Sequence, residues 1–238
     1  MKNGDDMKWI AGYVAAVCIL LIMIAQSIFI PTFFTPFISR HYERRDIHGS
    51  INMEKEELMY VTGELLDYMR GRREDLVVHA IVDGVEREFF SEIEIRHMVD
   101  VLYLYDAGFL IRNISFWMLL LMILGMAFFK MPILPVLARC CREVVVGFLI
   151  LASILAGVII WDFDRAFVVF HLLFFDNDYW ILDPGVDLLI NMVPQIFFVE
   201  ISIFIGILML IFSAIIILTS TLYLRSQGSS AKIVTRFR

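Results

Sequence analysis

One histidine, His171, lies in an aromatic-rich segment that follows directly on an apolar stretch of the chain. An ionisable side chain at membrane level costs free energy unless it is paired, so such a residue is expected to be functional. Histidine also has the side chain whose ordinary pKa best suits proton transfer near neutral pH. We therefore expect the chemistry of this protein at His171. The alternative is a buried histidine in an aromatic cluster, with one satisfied hydrogen bond.

A second histidine, His97, has an acidic residue on either side in a segment that is predicted to be helical. Glu94 precedes it by three positions and Asp100 follows it by three, so both carboxylates share its face of a helix. A carboxylate beside an imidazole selects the ring tautomer and favours the protonated ring, which is the usual support of a general acid or base. The alternative is a solvated surface cluster of charged side chains.

Several common catalytic motifs are absent from the sequence. It contains no His-Glu-x-x-His, no Gly-x-Ser-x-Gly, no P-loop and no Gly-x-Gly-x-x-Gly, the patterns of zinc proteases, serine hydrolases and nucleotide-binding enzymes. His41, His48 and His79 lack the spacing of metal ligands, and Cys18 has no basic neighbour that would make it a thiolate. We therefore expect no metal, no cofactor and no obvious protein nucleophile, and a reaction that depends on positioning and on proton transfer by histidine.

The composition places the chain in a membrane. Hydrophobic residues make up 60% of it and 21 residues are Phe, which is more than an ordinary soluble domain contains. Four apolar stretches are predicted to span the bilayer, residues 9–30, 114–129, 144–161 and 199–224. A span needs about 20 apolar residues, so the first and last are long enough and the middle two are short.

The basic residues predict the orientation of these spans. The short segments that share one side of the membrane carry nine Lys and Arg residues against the three acids Asp5, Asp6 and Glu143. The positive-inside rule then places both termini in the cytoplasm. Residues 31–113 lie outside as an extracytoplasmic insertion with 16 acidic and 10 basic residues, and this excess of acids argues against a nucleic-acid partner.

The insertion is predicted to be a small α+β unit of helix, hairpin and helix. An apolar period of helical spacing runs from Asn52 to Arg70 and is ended by Gly71. Two apolar runs then flank Asp83-Gly84, the strongest short signal for a hairpin. Because such a unit has little core of its own, we expect its apolar residues to contact lipid or membrane helices. Those residues are Val77, Ile81, Phe89 and Phe90.

The helix that carries His97 begins with a capping box. Ser91 and Glu94 can each accept a backbone N–H of the first turn. The helix is predicted to run to about Ala107-Gly108, just before the second span.

Residues 162–198 are predicted to form a short helical hairpin at membrane level that carries the site. Asp162 or Asp164 caps its first helix, and a second helix begins at Asp187 and contains Pro194. Polar turn residues at membrane depth require a cavity or surrounding protein. The elements together predict a mainly α integral membrane protein, a four-span helical bundle with a small extracytoplasmic α+β unit and this membrane-level helical hairpin.

The aromatic segment resembles the lipoprotein intramolecular transacylase family, integral membrane proteins of Gram-positive bacteria. The residues that carry the resemblance are Phe163-Asp164, Phe167, Phe170-His171, Phe174-Phe175, Asn177, Trp180, Asp183-Pro184, Asp187, Leu189-Ile190, Pro194 and Phe197-Phe198. A second motif comprises Ser91-Glu92-x-Glu94 and His97-Met98-Val99-Asp100-Val101, and a weaker third is Leu66-Asp67-Tyr68-x-x-Gly71. Their order and the membrane layout match over nearly the whole chain.

The resemblance implies an acyltransferase of the cell membrane. Such enzymes act on lipoproteins whose N-terminal cysteine carries an S-diacylglyceryl group and a free α-amine. They move the acyl chain of the glycerol sn-2 ester to that amine, which gives the lyso form. The implied partners are this lipoprotein and membrane lipid, and the implied place of the active site is the outer leaflet. Aminolysis of an ester needs a base for the amine proton, an acid for the departing oxygen and restraint of the chain.

These considerations give each candidate residue an expected role. His171 is the principal base and His97 its partner acid or base, with Glu94 and Asp100 as orienters of His97. Asp164, Asn177 and Trp180 shape the pocket or stabilise the oxyanion. Which histidine takes the proton stays open, because a close pair titrates as a unit. We expect a monomer. The alternative function is a non-catalytic membrane assembly factor or a permease subunit, although four spans without an internal repeat make a transporter hard to build alone.

Overall fold

Four long helices dominate the structure. The computed structural model describes the backbone of residues 2–236 and the side chains of residues 6–227. In that part of the chain, four helices are long and apolar enough to cross a membrane, Asp6–Thr32, Glu92–Phe128, Ile133–Trp161 and Gln195–Gln227. They cover the four predicted spans, the second to within one residue, so the predicted fold class is confirmed. Some charged residues behind the orientation prediction lie outside the described side chains, namely Lys2, Asp5, Lys232, Arg236 and Arg238.

Shorter elements connect these helices. The complete order is α1 (Lys2–Thr32), α2 (Thr35–Arg45), α3 (Ile47–Ser50), α4 (Lys55–Met69), β1 (His79–Val82), β2 (Val85–Glu88), α5 (Glu92–Phe128), α6 (Ile133–Trp161), α7 (Phe163–Phe174), α8 (Leu189–Met192) and α9 (Gln195–Arg236). The chain divides into two compact units. Unit 1 comprises Met1–Ile28, Leu110–Trp161 and Gly206–Arg238, and unit 2 comprises Phe29–Phe109 and Asp162–Ile205.

The predicted hairpin is confirmed. Strand β1 pairs antiparallel with β2, with Val82 opposite Val85 beside the turn. Asp83 and Gly84 have φ values of 55° and 75°, the pair of left-handed residues that a two-residue turn of type I′ requires. Helix α4 is the predicted helix of the insertion, and Gly71 follows it at a φ of 67°. Helices α2 and α3 lie in a stretch of the insertion to which the sequence assigned no element.

Unit 2 has a hydrophobic core of its own. Phe89 and Phe90 are only 1% and 2% exposed and belong to a core that also contains Tyr42, Leu58 and Met192. They are therefore buried in protein and do not face lipid. The membrane helices, which were the other expected contact, contribute Met98 of α5 and Phe197 and Ile201 of α9 to the same core. The insertion can bury them because residues after Asp162 supply a second wall, so the core is larger than the insertion alone could build.

The other two apolar residues of the predicted set, Val77 and Ile81, lie on the exposed face of the hairpin. Val77 and Ile81 are 45% and 52% exposed, whereas Val78, Ala80 and Val82 on the opposite face are buried. This alternation follows from the period of two along a strand. The expected contact of Val77 and Ile81 with lipid or membrane helices stays a prediction.

The helix that begins at Ser91 does not end at Ala107-Gly108 as predicted. Its capping box is present, since the Glu94 carboxylate accepts the Ser91 N–H and Ser91 Oγ accepts the Glu94 N–H. Helix α5 then continues without interruption to Phe128. Gly108 is a packing position, because a Cβ there would lie 3.1 Å from the ring of Phe29.

The second helix of the 162–198 segment also differs from the prediction. Helix α7 is present and Asp162 caps it, with Oδ1 accepting the Arg165 N–H at 2.9 Å. The helix expected from Asp187 through Pro194 is instead the single turn α8, and α9 begins directly after Pro194. Proline has no N–H and disfavours helical backbone in the residue before it, so it separates the two helices.

Candidate active site

The last turn of α7 presents His171 in a defined tautomer. The ring is 6% exposed, and its Nδ1 lies 2.7 Å from the carbonyl oxygen of Phe167. A carbonyl oxygen only accepts hydrogen bonds, so Nδ1 carries the proton and Nε2 keeps its lone pair. Burial lowers the pKa of His171, although the bond to Phe167 acts in the opposite direction. The ring is therefore neutral at neutral pH, which is the state that a general base needs.

The titration of His171 can be measured directly. We expect a midpoint below the ordinary imidazole value of about 6.5, because burial disfavours the charged ring. The unfolded chain then binds more protons than the native protein. The contribution of this residue to stability is accordingly complete above about pH 6.5 and lost as the pH falls further. NMR of the imidazole carbons, with the signal assigned by its loss in His171→Gln, would measure the midpoint. A midpoint above the ordinary value would contradict the assignment of a neutral base.

His97 on α5 lies beside His171. The two ring centroids are 6.0 Å apart, with an angle of 33° between the ring planes. The Phe175 ring contacts both, at 5.3 Å from His97 and 5.6 Å from His171. His97 is half-buried, and its Nδ1 is a buried atom without a hydrogen-bond partner in the structure. Two titratable rings thus share one cluster, and one of them has an unused polar atom.

Aromatic rings form the surroundings of His171. Trp180 stacks on it at 4.7 Å with an interplanar angle of 27°, and the Phe167 ring lies at 4.3 Å. The indole Nε1 of Trp180 is buried and has no partner. An indole N–H only donates, so it could serve an oxygen that gains negative charge. Trp180 therefore lies beside His171, and its expected role at the oxyanion stays a prediction.

Asn177 and Asp100 connect α5 with the loop after α7. The Asn177 Nδ2 donates to Asp100 Oδ2 at 2.8 Å, and its Oδ1 accepts the Tyr179 N–H at 3.0 Å. The Asn177 side chain thus links the helix that carries His97 to the turn that leads to Trp180. Both residues lie within the same region as the histidines.

Glu94 does not orient His97, which corrects its expected role. Its side chain is completely buried, and the carboxylate accepts the backbone N–H groups of Ser91 and Leu189. It therefore fastens the start of α5 to α8. The neighbouring bond from Ser91 Oγ to Asp187 Oδ1, 2.9 Å long, ties the start of α5 to the residues just before α8. The capping box predicted the first of these bonds. No sequence signal indicated Leu189 or Asp187 as partners, because they are far away along the chain.

The carboxylate of Asp164 is bound away from His171. It lies seven residues before His171, about 10 Å along the axis of α7 at 1.5 Å per residue. Its Oδ1 accepts the Gln195 Nε2 at 2.7 Å. Asp164 therefore joins the first turns of α7 and α9, and a direct role in stabilising an oxyanion beside His171 is not supported.

A pocket of about 260 Å³ adjoins this cluster. Phe175 is part of its wall, and Asp100 and Asp176 supply its carboxylates. Among the residues that the structure describes, no group of three His, Cys, Asp or Glu side chains is arranged to hold a metal ion.

Comparison with known proteins gives the family of the chain. The family model of the lipoprotein intramolecular transacylase Lit matches residues 13–198, which is well over half of the sequence. The chain belongs to the Lit family. It is therefore an acyltransferase and a multi-pass integral membrane protein, and the alternative of a non-catalytic assembly factor or permease subunit is set aside. No curated protein sequence matches it significantly.

Solved structures of Lit from Bacillus cereus share the fold. One has a TM-score of 0.73 at 19% identity and covers 95% of this chain and 99% of its own. Two others are variants in which one histidine is replaced by alanine or by arginine, each with a TM-score of 0.72. They are 18% and 19% identical to this chain and cover 96% of it, and 98% and 97% of their own chains.

Proposed function

We propose that this Lit family member moves the sn-2 acyl chain of a diacylglyceryl lipoprotein to the α-amine of its N-terminal cysteine. One observation carries the proposal. The rings of His97 and His171, which come from separate segments of the chain, lie with their centroids 6.0 Å apart. One of them, His171, has a free Nε2 lone pair by virtue of its bond to Phe167. A base and a proton relay are what an aminolysis without a protein nucleophile requires.

The proposed reaction is an internal aminolysis. The α-amine nitrogen attacks the carbonyl carbon of the sn-2 ester and forms the new C–N bond. Nε2 of His171 takes a proton from that nitrogen, and the Trp180 indole N–H stabilises the oxyanion of the tetrahedral intermediate. The C–O bond to glycerol then breaks, and the departing oxygen takes a proton from the histidine pair. The products are an amide and a free glycerol hydroxyl, and no water is consumed.

The proposed orientation follows from the charges of the short segments. With both termini in the cytoplasm, residues 31–113 and the loop around His171 lie outside, on the side of the membrane where the amine of a processed lipoprotein lies. The substrate is anchored in lipid, and we propose that the protein acts on it as a monomer.

Mass spectrometry of lipoprotein N-termini tests the proposal. The transfer is an isomerisation, so the mass of the N-terminal peptide does not change and only its fragmentation does. Cells that contain the protein should yield fragments with the acyl chain on nitrogen and one acyl chain on glycerol. Cells that lack it should yield diacylglyceryl fragments with a free amine. Identical fragmentation in both strains would reject the proposal. A substrate labelled with an isotope in its sn-2 chain identifies which chain moved.

Direct transfer also predicts that no cysteine is essential. Cys18, Cys140 and Cys141 are all buried, and burial raises the cost of forming a thiolate. Replacing all three by alanine should leave the activity within about twofold of the wild type, because none of them serves as nucleophile. An alkyne-tagged lipopeptide should label no protein side chain during turnover. Recovery of a covalently acylated protein would contradict a direct mechanism.

A further inference from the structure

One face of α5 runs from the cluster of His97, His171 and Phe175 to a pocket that is lined by both carboxylates and apolar side chains. His97, Asp100, Leu104 and Ala107 recur at helical spacing and so share this face. The last three line the pocket of about 260 Å³, together with Tyr103. At 1.5 Å per residue, Ala107 lies about 15 Å along the helix from His97. The face therefore leads from the reactive rings, past a carboxylate, to apolar side chains.

The opposite wall comes from the C-terminal end of α7 and the residues after it. Phe174 and Phe175 supply its apolar part and Asp176 its carboxylate. Phe175 is the ring that contacts both histidines, so the pocket and the cluster have a common wall. The mechanism described above uses neither Asp176 nor the apolar end of this pocket.

We propose that this pocket binds the N-terminal residue of the lipoprotein, with the α-ammonium between Asp100 and Asp176 and an acyl chain along Tyr103, Leu104 and Ala107. This assignment rests on the proposed function. The charge is complementary, because an α-amine has an ordinary pKa of about 7.7–8.0 and is largely protonated at neutral pH. The lipid-modified cysteine carries both an ammonium group and an apolar chain, and this pocket offers carboxylates for the first and an apolar wall for the second.

This location also places the ammonium beside groups that can accept its proton. Only the neutral amine attacks the ester, so the bound ammonium first loses one proton through the neighbouring histidine pair to water. The proton that the pair takes during the attack is then the one that it returns to the departing glycerol oxygen. Asp100 lies one turn from His97, and a negative charge at that distance favours a protonated imidazole. The carboxylates thus hold the ammonium before the reaction and stabilise the imidazolium that forms when it becomes an amine.

Binding in a non-reacting background tests the ammonium end. The probes are a synthetic lipopeptide that begins with dipalmitoylglyceryl cysteine and the same peptide with an acetylated α-amine, bound to full-length protein with His171→Ala in lipid nanodiscs. The free amine should bind about tenfold more tightly, the usual worth of a charge-assisted hydrogen bond. In Asp100→Asn with Asp176→Asn this preference should disappear. The double variant should fold, because asparagine at position 100 can still accept the hydrogen bond from Asn177. If it does not fold, the single variant Asp176→Asn, which changes a residue in an exposed loop, should still reduce the preference for the free amine. Retention of the full preference in a folded variant would overturn the assignment.

Asp178→Asn is the matched control, because Asp178 is exposed in the same loop and does not line the pocket. It should keep the tenfold preference. Loss of the preference in this control as well would show a general effect of charge and would also overturn the assignment.

The apolar end has a separate test. Ala107→Trp fills the pocket and should weaken binding of the dipalmitoyl probe about tenfold while leaving a diacetylglyceryl probe unaffected. Leu121→Trp, at an exposed apolar position of the same helix, is its control. Unchanged binding of the long-chain probe to Ala107→Trp would show that the acyl chain does not bind in this pocket.

The two proposals can fail separately. If the wild type forms no N-acyl product while the amine preference depends on Asp100 and Asp176, the pocket stands and the proposed reaction falls. If the product forms while both substitutions leave the preference unchanged, the reaction stands and the pocket falls.

Discussion

Replacing His171 by alanine is expected to lower the rate of lyso-lipoprotein formation by roughly 10²–10⁴-fold, the usual contribution of a general acid or base. The variant loses the Nε2 lone pair that receives the amine proton, and also the ring on which Trp180 stacks. His97→Ala should cause a loss of similar size, because its ring is the only other imidazole in the described aromatic cluster. Fragment spectra of a purified lipopeptide substrate, taken over time, measure both rates.

The two substitutions together should cost little more than either alone. Residues that act on one step are strongly non-additive, whereas independent effects would multiply. His79→Ala is the matched control, since His79 is exposed on β1, and it should retain wild-type activity. A clearly active His171→Ala enzyme, or single losses that multiply in the double variant, would contradict the dyad.

Replacing Glu94 by alanine is expected to destabilise the protein by about 2–4 kcal/mol, because each buried donor left unsatisfied costs roughly 1–3 kcal/mol. The carboxylate is fully buried and accepts the N–H groups of Ser91 and Leu189. Its loss opens the connection between the start of α5 and α8, and activity should decrease with stability. Thermal unfolding in detergent, followed by the exposure of buried cysteines, measures the effect.

Glu92→Ala provides a close comparison on the same helical turn. Its side chain is 81% exposed and its ion pair with Arg96 is of the i,i+4 type, so its removal should cost no more than about 0.5 kcal/mol. Equal melting temperatures for the Glu94 and Glu92 variants would show that the buried carboxylate is not a structural tie.

The sequence by itself determined the elements whose causes are local. Apolar length predicted the four membrane helices, and Asp83-Gly84 predicted the hairpin, because only such residues adopt its left-handed turn readily. The capping box at Ser91 and Glu94 was visible for the same reason: its two partners are three residues apart. His171 and His97 also stood out, since an ionisable ring among aromatic residues and a ring flanked by acids are features of short segments.

Only the tertiary structure decided which distant groups meet. Ala107-Gly108 reads as a helix end in sequence, yet the close approach of Phe29 makes Gly108 a packing position within α5. Glu94 reads as a partner of His97, yet its carboxylate accepts the Leu189 N–H from another part of the chain. Phe89 and Phe90 were expected at lipid or at membrane helices, and they lie in a core that residues after Asp162 complete and to which α5 and α9 contribute. Burial and long-range hydrogen bonds depend on what the fold places opposite a side chain, and the local pattern of residues does not contain that partner.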